Sequence, residues 1–513
     1  MKKVVVKKNR YVDSVSLMAV GDKVTQLDGV ENAEAAMATA ANLEVLVDEL
    51  HYDIPEGTTA NDLVLACTAD TEDHLEAAMK MIIDIIDHKN TSGDEQTYKS
   101  LLEIDLREDP YDLVQISLAG EYAAAEAKKA ISLGMDVFIF SDNVTLEEEL
   151  EIKQYGAERG KLVMGPDCGV GLIKGVALGA GSIVRPGPIG IVGASGSGCQ
   201  EVGNIIERCG LGISQIIGTG GHDLLPQIGG ITMLAGMKKL ENDPDTAVIV
   251  LVSKLANLDV MAKVLDEADK SRKPVVAIFL GSDEKLFEGH KVHGTFSLEE
   301  AALKAVELYT GEAPKFGYSD DEIAEIVKTN IARLTPEQKY VRGLFSGGTF
   351  TEEGMIYYTQ HNKGVTLNSN LNTKYSTQLA DHDVSVGHCI LDLGAEDFTA
   401  EAPHPVFDPA LKLKRFNREI ADPAVAVVTM DFIMGPGVAA DPVGPFAKAC
   451  KEVYDARNGA IIFVSNVCGS LEDPQDTLAA EKLLADAGVI VTHSNYESTK
   501  IASALLTALE ERG

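Results

Sequence analysis

Tryptophan is absent from the 513 residues, and basic side chains are scarce: 45 lysines and arginines stand against 79 aspartates and glutamates. The formal charge of −34 repels the phosphate backbone of nucleic acids and the anionic face of a membrane, so neither is an expected partner. A small anionic ligand then has to be held by helix ends and backbone N–H groups, not by a basic patch. Long apolar runs are missing too. None approaches the ~20 residues that span a bilayer. The basic start MKKVVVKKNR has only three apolar residues in a row, too few for a secretory signal. The seven cysteines (67, 168, 199, 209, 389, 450 and 468) include no C-x-x-C pair and no disulfide-like spacing. They read as reduced thiols, so a soluble cytoplasmic protein with no metal site is expected.

Glycine is plentiful, at 47 residues, and apolar residues make up 45%, which suits an α/β protein of three or four domains. The informative stretch is 189–223. Ile189–Val192 reads as a buried strand, Gly193–Gly198 (GASGSG) as a loop, and Gln200–Leu211 as a helix with Val202, Ile205, Ile206 and Cys209 on one stripe. Strand, glycine loop and helix together present unpaired N–H groups to an anion, and the helix macrodipole favours negative charge there. Ser195, Gly196, Ser197 and Gly198 are the candidate phosphate or acyl-phosphate ligands. The plain alternative is a tight turn of small residues. A second glycine turn, Gly218–Gly221 with His222 and Asp223 behind it, favours a site and adds Gly220 and Gly221.

In chain order, residues 1–100 carry strand candidates at Val4–Val6 and Asp62–Ala69 and helices at Ser14–Val20 and Leu75–Ile86. That order suggests a ferredoxin-like sandwich, ending in a polar linker at Lys89–Gln96. Residues 101–171 alternate strands and helices, which implies parallel pairing. Residues 172–312 hold the stretch above and the nearly unbroken apolar strands Ala247–Ser253 and Pro274–Leu280. After a charged connector at Pro314–Pro336, residues 337–513 repeat the style, with long loops at Gly364–Gly387 and Ala395–Pro409. Gly190–Gly198 (GIVGASGSG) and Gly343–Thr351 (GLFSGGTFT) echo one another, so two similar domains each offer a helix N-terminus.

Gly165–Gly169 (GPDCG), Arg185–Val192 (RPGPIGIV), the Ser/Gly loop and Gly218–Gly221 occur in an order that resembles the α subunit of succinyl-CoA synthetase and the wider NDP-forming acyl-CoA ligases. Residues 112–310 look like the later CoA-binding half and ligase domain of that subunit. Residues 337–510 look like the ligase domain of the β subunit, fused on the same chain. The whole layout resembles the FdrA family most closely, through VDSVSLM (12–18), VSK (252–254), LDLGAEDFTAEAPHP (391–405) and CGSLEDPQ (468–475). The resemblance implies a ferredoxin-like unit, a partial Rossmann-like unit of CoA-binding type and two flavodoxin-like ligase domains.

In the ligases, two helix N-termini hold the phosphoryl group between them. The match implies one at Ser195–Gly198 and the other near Gly435 and Gly437. The ligases also use a phosphohistidine; His290 and His293 are the only nearby candidates here, and neither sits in the ligase motif. His222 is the candidate for proton transfer. The family's glycine-rich turn for CoA is replaced, and the orienting glutamate gives way to Ser253-Lys254. The FdrA resemblance implies one subunit of an oxamate carbamoyltransferase, converting oxalurate and phosphate to oxamate and carbamoyl phosphate in purine and allantoin breakdown. Its expected ligand is phosphate or carbamoyl phosphate, with a small anionic substrate and other subunits in an oligomer. The alternatives are an NDP-forming acyl-CoA synthetase, with CoA and Mg-nucleotide as cofactors, and a non-catalytic scaffold.

Overall fold

A computed structural model of the protein describes residues 1–512 except 9, 11, 13, 26, 89–99, 105–110 and 401. The expected linker at Lys89–Gln96 lies outside the described residues. The chain divides into two units, Met1–Asp109 and Pro110–Gly513.

The first unit contains β1 (Lys2–Lys7), α1 (Ser14–Thr25), β2 (Val30–Met37), α2 (Ala40–Glu44), β3 (Leu63–Ala69) and α3 (Glu72–His88). Its antiparallel sheet has the order β1-β3-β2, as three strands of a ferredoxin-like unit do. Side chains alternate across β3. Leu63, Leu65 and Cys67 pack against Leu17, Val20 and Val24 of α1 and against Leu75, Met79 and Ile82 of α3. Val64 and Ala66 meet Leu46 and Tyr52 on the other face. Both faces are covered, which is why DLVLACTA shows no polar alternation.

The second unit begins with β4 (Leu113–Ile116), α4 (Gly120–Ser132), β5 (Asp136–Ile139), α5 (Leu146–Glu158) and β6 (Val163–Met164), a parallel sheet β4-β5-β6. A hairpin follows, β7 (Val170–Ile173) and β8 (Val176–Gly179). Its two turn residues, Lys174 and Gly175, have φ of +49° and +83°, as a two-residue hairpin turn requires. This corrects the boundary expected at 171/172. It cuts β7, whose Leu172 and Ile173 pair with the next sheet and whose Val170 and Leu172 are buried in its core.

That sheet contains β9 (Pro186–Gly193), α6 (Gly196–Arg208), β10 (Ile213–Gly218), α7 (Ile231–Asn242), β11 (Val248–Lys254), α8 (Leu258–Ala268), β12 (Val275–Leu280), β13 (His293–Thr295) and α9 (Leu298–Thr310). The strand order is β13-β12-β11-β9-β10-β7-β8. Taking β9 as the first strand, the parallel part has the flavodoxin-like order 2-1-3-4-5. The connector forms α10 (Asp320–Ile331), opened by a Ser319/Glu322 capping box.

The last domain runs β14 (Tyr340–Phe345), α11 (Gly348–His361), β15 (Leu367–Ser369), β16 (Thr377–Gln378), β17 (His388–Asp392), α12 (Glu396–Thr399), α13 (Ala410–Ala421), β18 (Val425–Ile433), α14 (Gly444–Ala456), β19 (Ile462–Cys468), α15 (Thr477–Asp486), β20 (Val489–Thr492) and α16 (Asn495–Arg512). Its order, β16-β15-β17-β14-β18-β19-β20, repeats 2-1-3-4-5 from β14. The two domains match in detail. Thr295 and Thr492 each donate to a carbonyl of the neighbouring strand at 3.2 Å. Ser297 and Ser494 each accept from the backbone of the glutamate three residues on, at 3.0 Å. One continuous core joins the sheets through Val202 and Ile206 of α6, Ala302 and Val306 of α9, Ile356 of α11 and Leu505 of α16. Each large aliphatic side chain buried there contributes about 1.5–3 kcal/mol. Among the described residues no helix is long and apolar enough to cross a membrane.

Candidate functional site

The tips of β9 and β14 turn into α6 and α11 at one place, although about 150 residues separate them in sequence. Ser195 caps α6 in extended backbone and accepts from Gly198 N–H at 3.1 Å. Its Oγ lies 2.7 Å from Thr349 Oγ1, on the first turn of α11. A Cβ on Gly347 would stand 3.4 Å from Ser197 Oγ. Gly347 precedes α11 and offers no side-chain cap. The first N–H groups of α11 therefore lack an internal partner, and two positive helix ends converge where the hydroxyls meet. Both β9 and β14 are first strands of a 2-1-3 order, the switch point where open α/β sheets bind ligands.

Beside this junction lies a cavity of about 430 Å³, lined by Asp167–Val170, Gly193–Gly196, Gly218, Gly220, Gly221, Ser253–Ala256 and Thr349, among others. Its cation is Lys254, the last residue of β11, which pairs with Glu352 of α11 at 3.1 Å. A Cβ on Gly348 would lie 2.9 Å from both Lys254 Nζ and Asp392 Oδ2, so these two groups flank the first residue of α11. Burial pushes the Asp392 carboxyl up to about 6, against the lowering by Gly394 N–H and Lys254. Below the glycine turn, Asp431 accepts from Ser346 N–H at 2.8 Å and pairs with the buried Lys412 at 2.7 Å, fixing the end of β14. At the other end of the cavity Gly220 (φ +80°) needs to be glycine, because a Cβ would sit 2.2 Å from Pro166 O.

Some expected residues are brought together and others are not. Ser195, Gly196, Gly220 and Gly221 line the cavity, and Ser197 and Gly198 belong to the same helix start. Neither Gly196 nor Gly198 has a positive φ. Their small size is demanded by packing, with Val170 3.3 Å from the Cβ position of Gly196 and Ser195 Oγ 2.7 Å from that of Gly198. Gly435 and Gly437 need correcting. They pack against the carbonyls of Gly179–Gly181, and α14 begins only at Gly444. The loop after β18 follows a third strand; the helix end that meets α6 follows the first, β14, as the GLFSGGTFT echo implied.

His290 and His293 are also displaced from the site. The cavity adjoins the C-terminal ends of β9 and β11, whereas His293 opens β13 opposite Val276 near the start of β12. His290 pairs with Asp269, just past the end of α8, at 2.8 Å. Both lie toward the opposite end of the parallel strands. His222 follows the second glycine turn but does not line the cavity; its Nδ1 is 3.2 Å from the buried Glu149. Lys153 joins Glu149 at 2.8 Å and Asp223 at 2.7 Å, and Asp223 caps α7 through Thr232 and Met233 N–H. Cys199 is buried and its thiol pushed up by desolvation, which removes it as a nucleophile.

Sequence reasoning missed Lys254, Asp392, Thr349 and Asp167. Their common signal is a polar residue placed where a buried strand ends or a glycine turn opens, as in VIVLVSK and CILDLG. His404 was missed as well. It sits beside Gly394 and Ser346, half-buried and with its imidazole pushed toward the neutral form by desolvation.

Residues 1–100 match the family described as AllF, heavy metal-associated domain; residues 184–281 match the CoA binding domain and residues 344–505 the CoA-ligase family. The chain is 39% identical over 515 residues to the uncharacterized protein YahF of Escherichia coli (strain K12), covering 99% of each. It is 26% identical over 242 residues to subunit alpha 2 of the ADP-forming succinate–CoA ligase of Archaeoglobus fulgidus, covering 45% of this chain and 80% of that one. Among solved structures, the dinucleotide forming acetyl-coenzyme A synthetase 1 of Ca. Korarchaeum cryptofilum, in complex with phosphate and ADP, aligns at 13% identity and TM-score 0.34, covering 82% and 86% of the two chains. The metal that the first family description implies does not fit the residues present. Cys67, the sole cysteine of 1–100, is buried in β3, and no cluster able to hold a metal occurs among the described residues.

Proposed function

The chain belongs to the FdrA-like family of acyl-CoA-synthetase-type proteins, and from that premise we propose that it is the phosphate-handling subunit of an oxamate carbamoyltransferase. The observation that carries this reading is the junction of α6 and α11. Unpaired N–H groups, Ser195, Thr349 and Lys254 offer donors to a phosphate, and among the described residues no histidine lines the cavity to take up a phosphoryl group.

In the proposed reaction an oxygen of hydrogen phosphate attacks the ureido carbonyl carbon of oxalurate. The C–N bond to the oxamate nitrogen breaks, and that nitrogen takes the proton lost by the phosphate. Carbamoyl phosphate and oxamate leave. The helix ends and Lys254 hold the negative charge that the attacking phosphate brings. Each preorganised donor of this kind is worth roughly 3 kcal/mol in other enzymes. Other subunits, in an oligomer in the cytoplasm, complete the substrate site.

A second reading is an acyl-CoA ligase, supported by the CoA-binding and CoA-ligase matches and by the likeness to the succinate–CoA ligase subunit. Both readings use the same phosphate site. They separate on CoA and on a phosphorylated intermediate.

The test is to co-purify the protein with its native partners and assay phosphate-dependent cleavage of oxalurate. Carbamoyl phosphate formed without CoA or nucleotide supports the carbamoyltransferase. Activity that needs CoA and nucleotide, with no oxalurate cleavage, establishes the ligase instead.

A further inference from the structure

The cavity makes opposite demands at its two ends. At the α6–α11 junction the helix N–H groups, Ser195, Thr349 and Lys254 offer donors, with the Glu352 and Asp392 carboxylates beside them. At the other end stands the Asp167 carboxylate, an acceptor when ionised. Asp167 is held in left-handed backbone (φ +51°), and its N–H donates to Ser141 O at 2.9 Å. Its carboxylate has no hydrogen-bond partner among the described residues, although Gly221 leaves open space beside it, with the nearest oxygen 3.9 Å from the Cβ position. Asp167 is exposed; the protein around it, and then Asp142, make ionisation harder, while His222 works the other way. Such a group gains from any N–H donor that reaches it.

We propose that Asp167 selects the acyl group: it accepts a hydrogen bond from an amide or ureido N–H of a ligand whose phosphate end sits at the α6–α11 junction. The proposal rests on the phosphate-transfer reading above and deepens it by naming the acyl class. A second carboxylate at this end, as in a dicarboxylic acid, meets a like charge. A methyl group there leaves the carboxylate unpaired. An NH2 satisfies it. A divalent cation is the other ligand a carboxylate could hold, but the described residues offer no group of three acidic, histidine or cysteine ligands.

The test compares two stable phosphonates that differ only in NH2 against CH3, phosphonoacetamide and acetonylphosphonate, with inorganic phosphate as control. Calorimetry on the full-length wild type is expected to give roughly tenfold tighter binding of the amide, as a hydrogen bond to a charged group allows. Asp167→Ala should bind both phosphonates alike, with phosphate affinity unchanged. Asp167→Asn, which keeps an acceptor oxygen and tolerates left-handed backbone, should retain part of the preference. Equal binding by the wild type, or a preference that survives in Asp167→Ala, overturns the role of Asp167 while phosphate binding stands. Failure of all three ligands removes the phosphate site and this proposal together. A magnesium requirement lost in Asp167→Ala makes the residue a cation ligand and also overturns it.

Discussion

Glu201 and Glu353 hold the two ligase-type domains together by the same contact made twice in opposite directions. Each is the sixth residue of a helix that starts at the α6–α11 junction, α6 for Glu201 and α11 for Glu353. Glu201 accepts the N–H of Asn495 at 2.7 Å, the first residue of α16 in the other domain. Glu353 accepts the N–H of Leu298 at 2.9 Å, the first residue of α9. Asn495 closes the pair by donating from its side chain to Glu353 at 2.7 Å. Each of the two helices is thus fixed by a helix of the other domain, which preorganises the junction.

This pair predicts a pH dependence of stability. Burial pushes Glu201 up to about 7 and Glu353 up to about 8, above the ordinary 4.5. Between those values the folded chain keeps protons that the unfolded chain has lost. The stabilisation is therefore complete below about pH 4.5 and declines as pH rises through 7 and 8. Chemical denaturation between pH 5 and 8 should show a loss on the order of 2 kcal/mol or more. Glu201→Gln, whose amide oxygen can still accept from Asn495, should flatten the part of that slope below pH 7.

Lys254 is the cation at the junction. Lys254→Met should weaken phosphate binding about tenfold or more, the loss expected of one charge-assisted hydrogen bond. Lys254→Arg should recover part of it. Calorimetry with inorganic phosphate decides, and unchanged affinity in Lys254→Met would move the anion elsewhere.

Asp392 gives the same site a titration. Its carboxyl, raised to about 6 by burial, becomes negative beside the anion as pH rises. Sulfate stays dianionic throughout, so its affinity should fall several-fold between pH 5 and 7. Asp392→Asn should bind sulfate equally across that range.

Gly198→Ala should cost about 1 kcal/mol through loss of the Ser195 cap and lower anion affinity with it, because the new Cβ would stand 2.7 Å from Ser195 Oγ. Gly221→Ala adds no such clash. A thermal shift series with phosphate separates the two, and equal effects would reduce the loop to a packing turn.

The positions of the histidines predict no phosphohistidine. His290→Asn and His293→Asn should leave oxalurate cleavage unchanged, and wild type incubated with labelled ATP should carry no acid-labile phosphate. Label lost in either variant, together with activity, would restore the ligase mechanism.

Local sequence determined the parallel strands, the glycine turns and the repeated ligase-type domain, because buried strand runs, helix stripes and turn residues act within a few positions of one another. The stripe Val202, Ile205, Ile206 and Cys209 is such a case, and so is the left-handed Gly210 (φ +90°) after α6. The GLFSGGTFT echo likewise announced a second helix end. Gly435 and Gly437 misled because strand, glycine and helix recur after every strand of an α/β sheet, and only the strand order and packing single out the turn that meets α6. Tertiary structure alone decided that Ser195 meets Thr349, that Lys254 and Asp392 flank Gly348, and that His290 and His293 lie at the far end of the sheet. These contacts join residues from about 45 to more than 150 positions apart. Their geometry follows from how the sheets pack across a shared core, and no pattern of neighbouring residues encodes that distance.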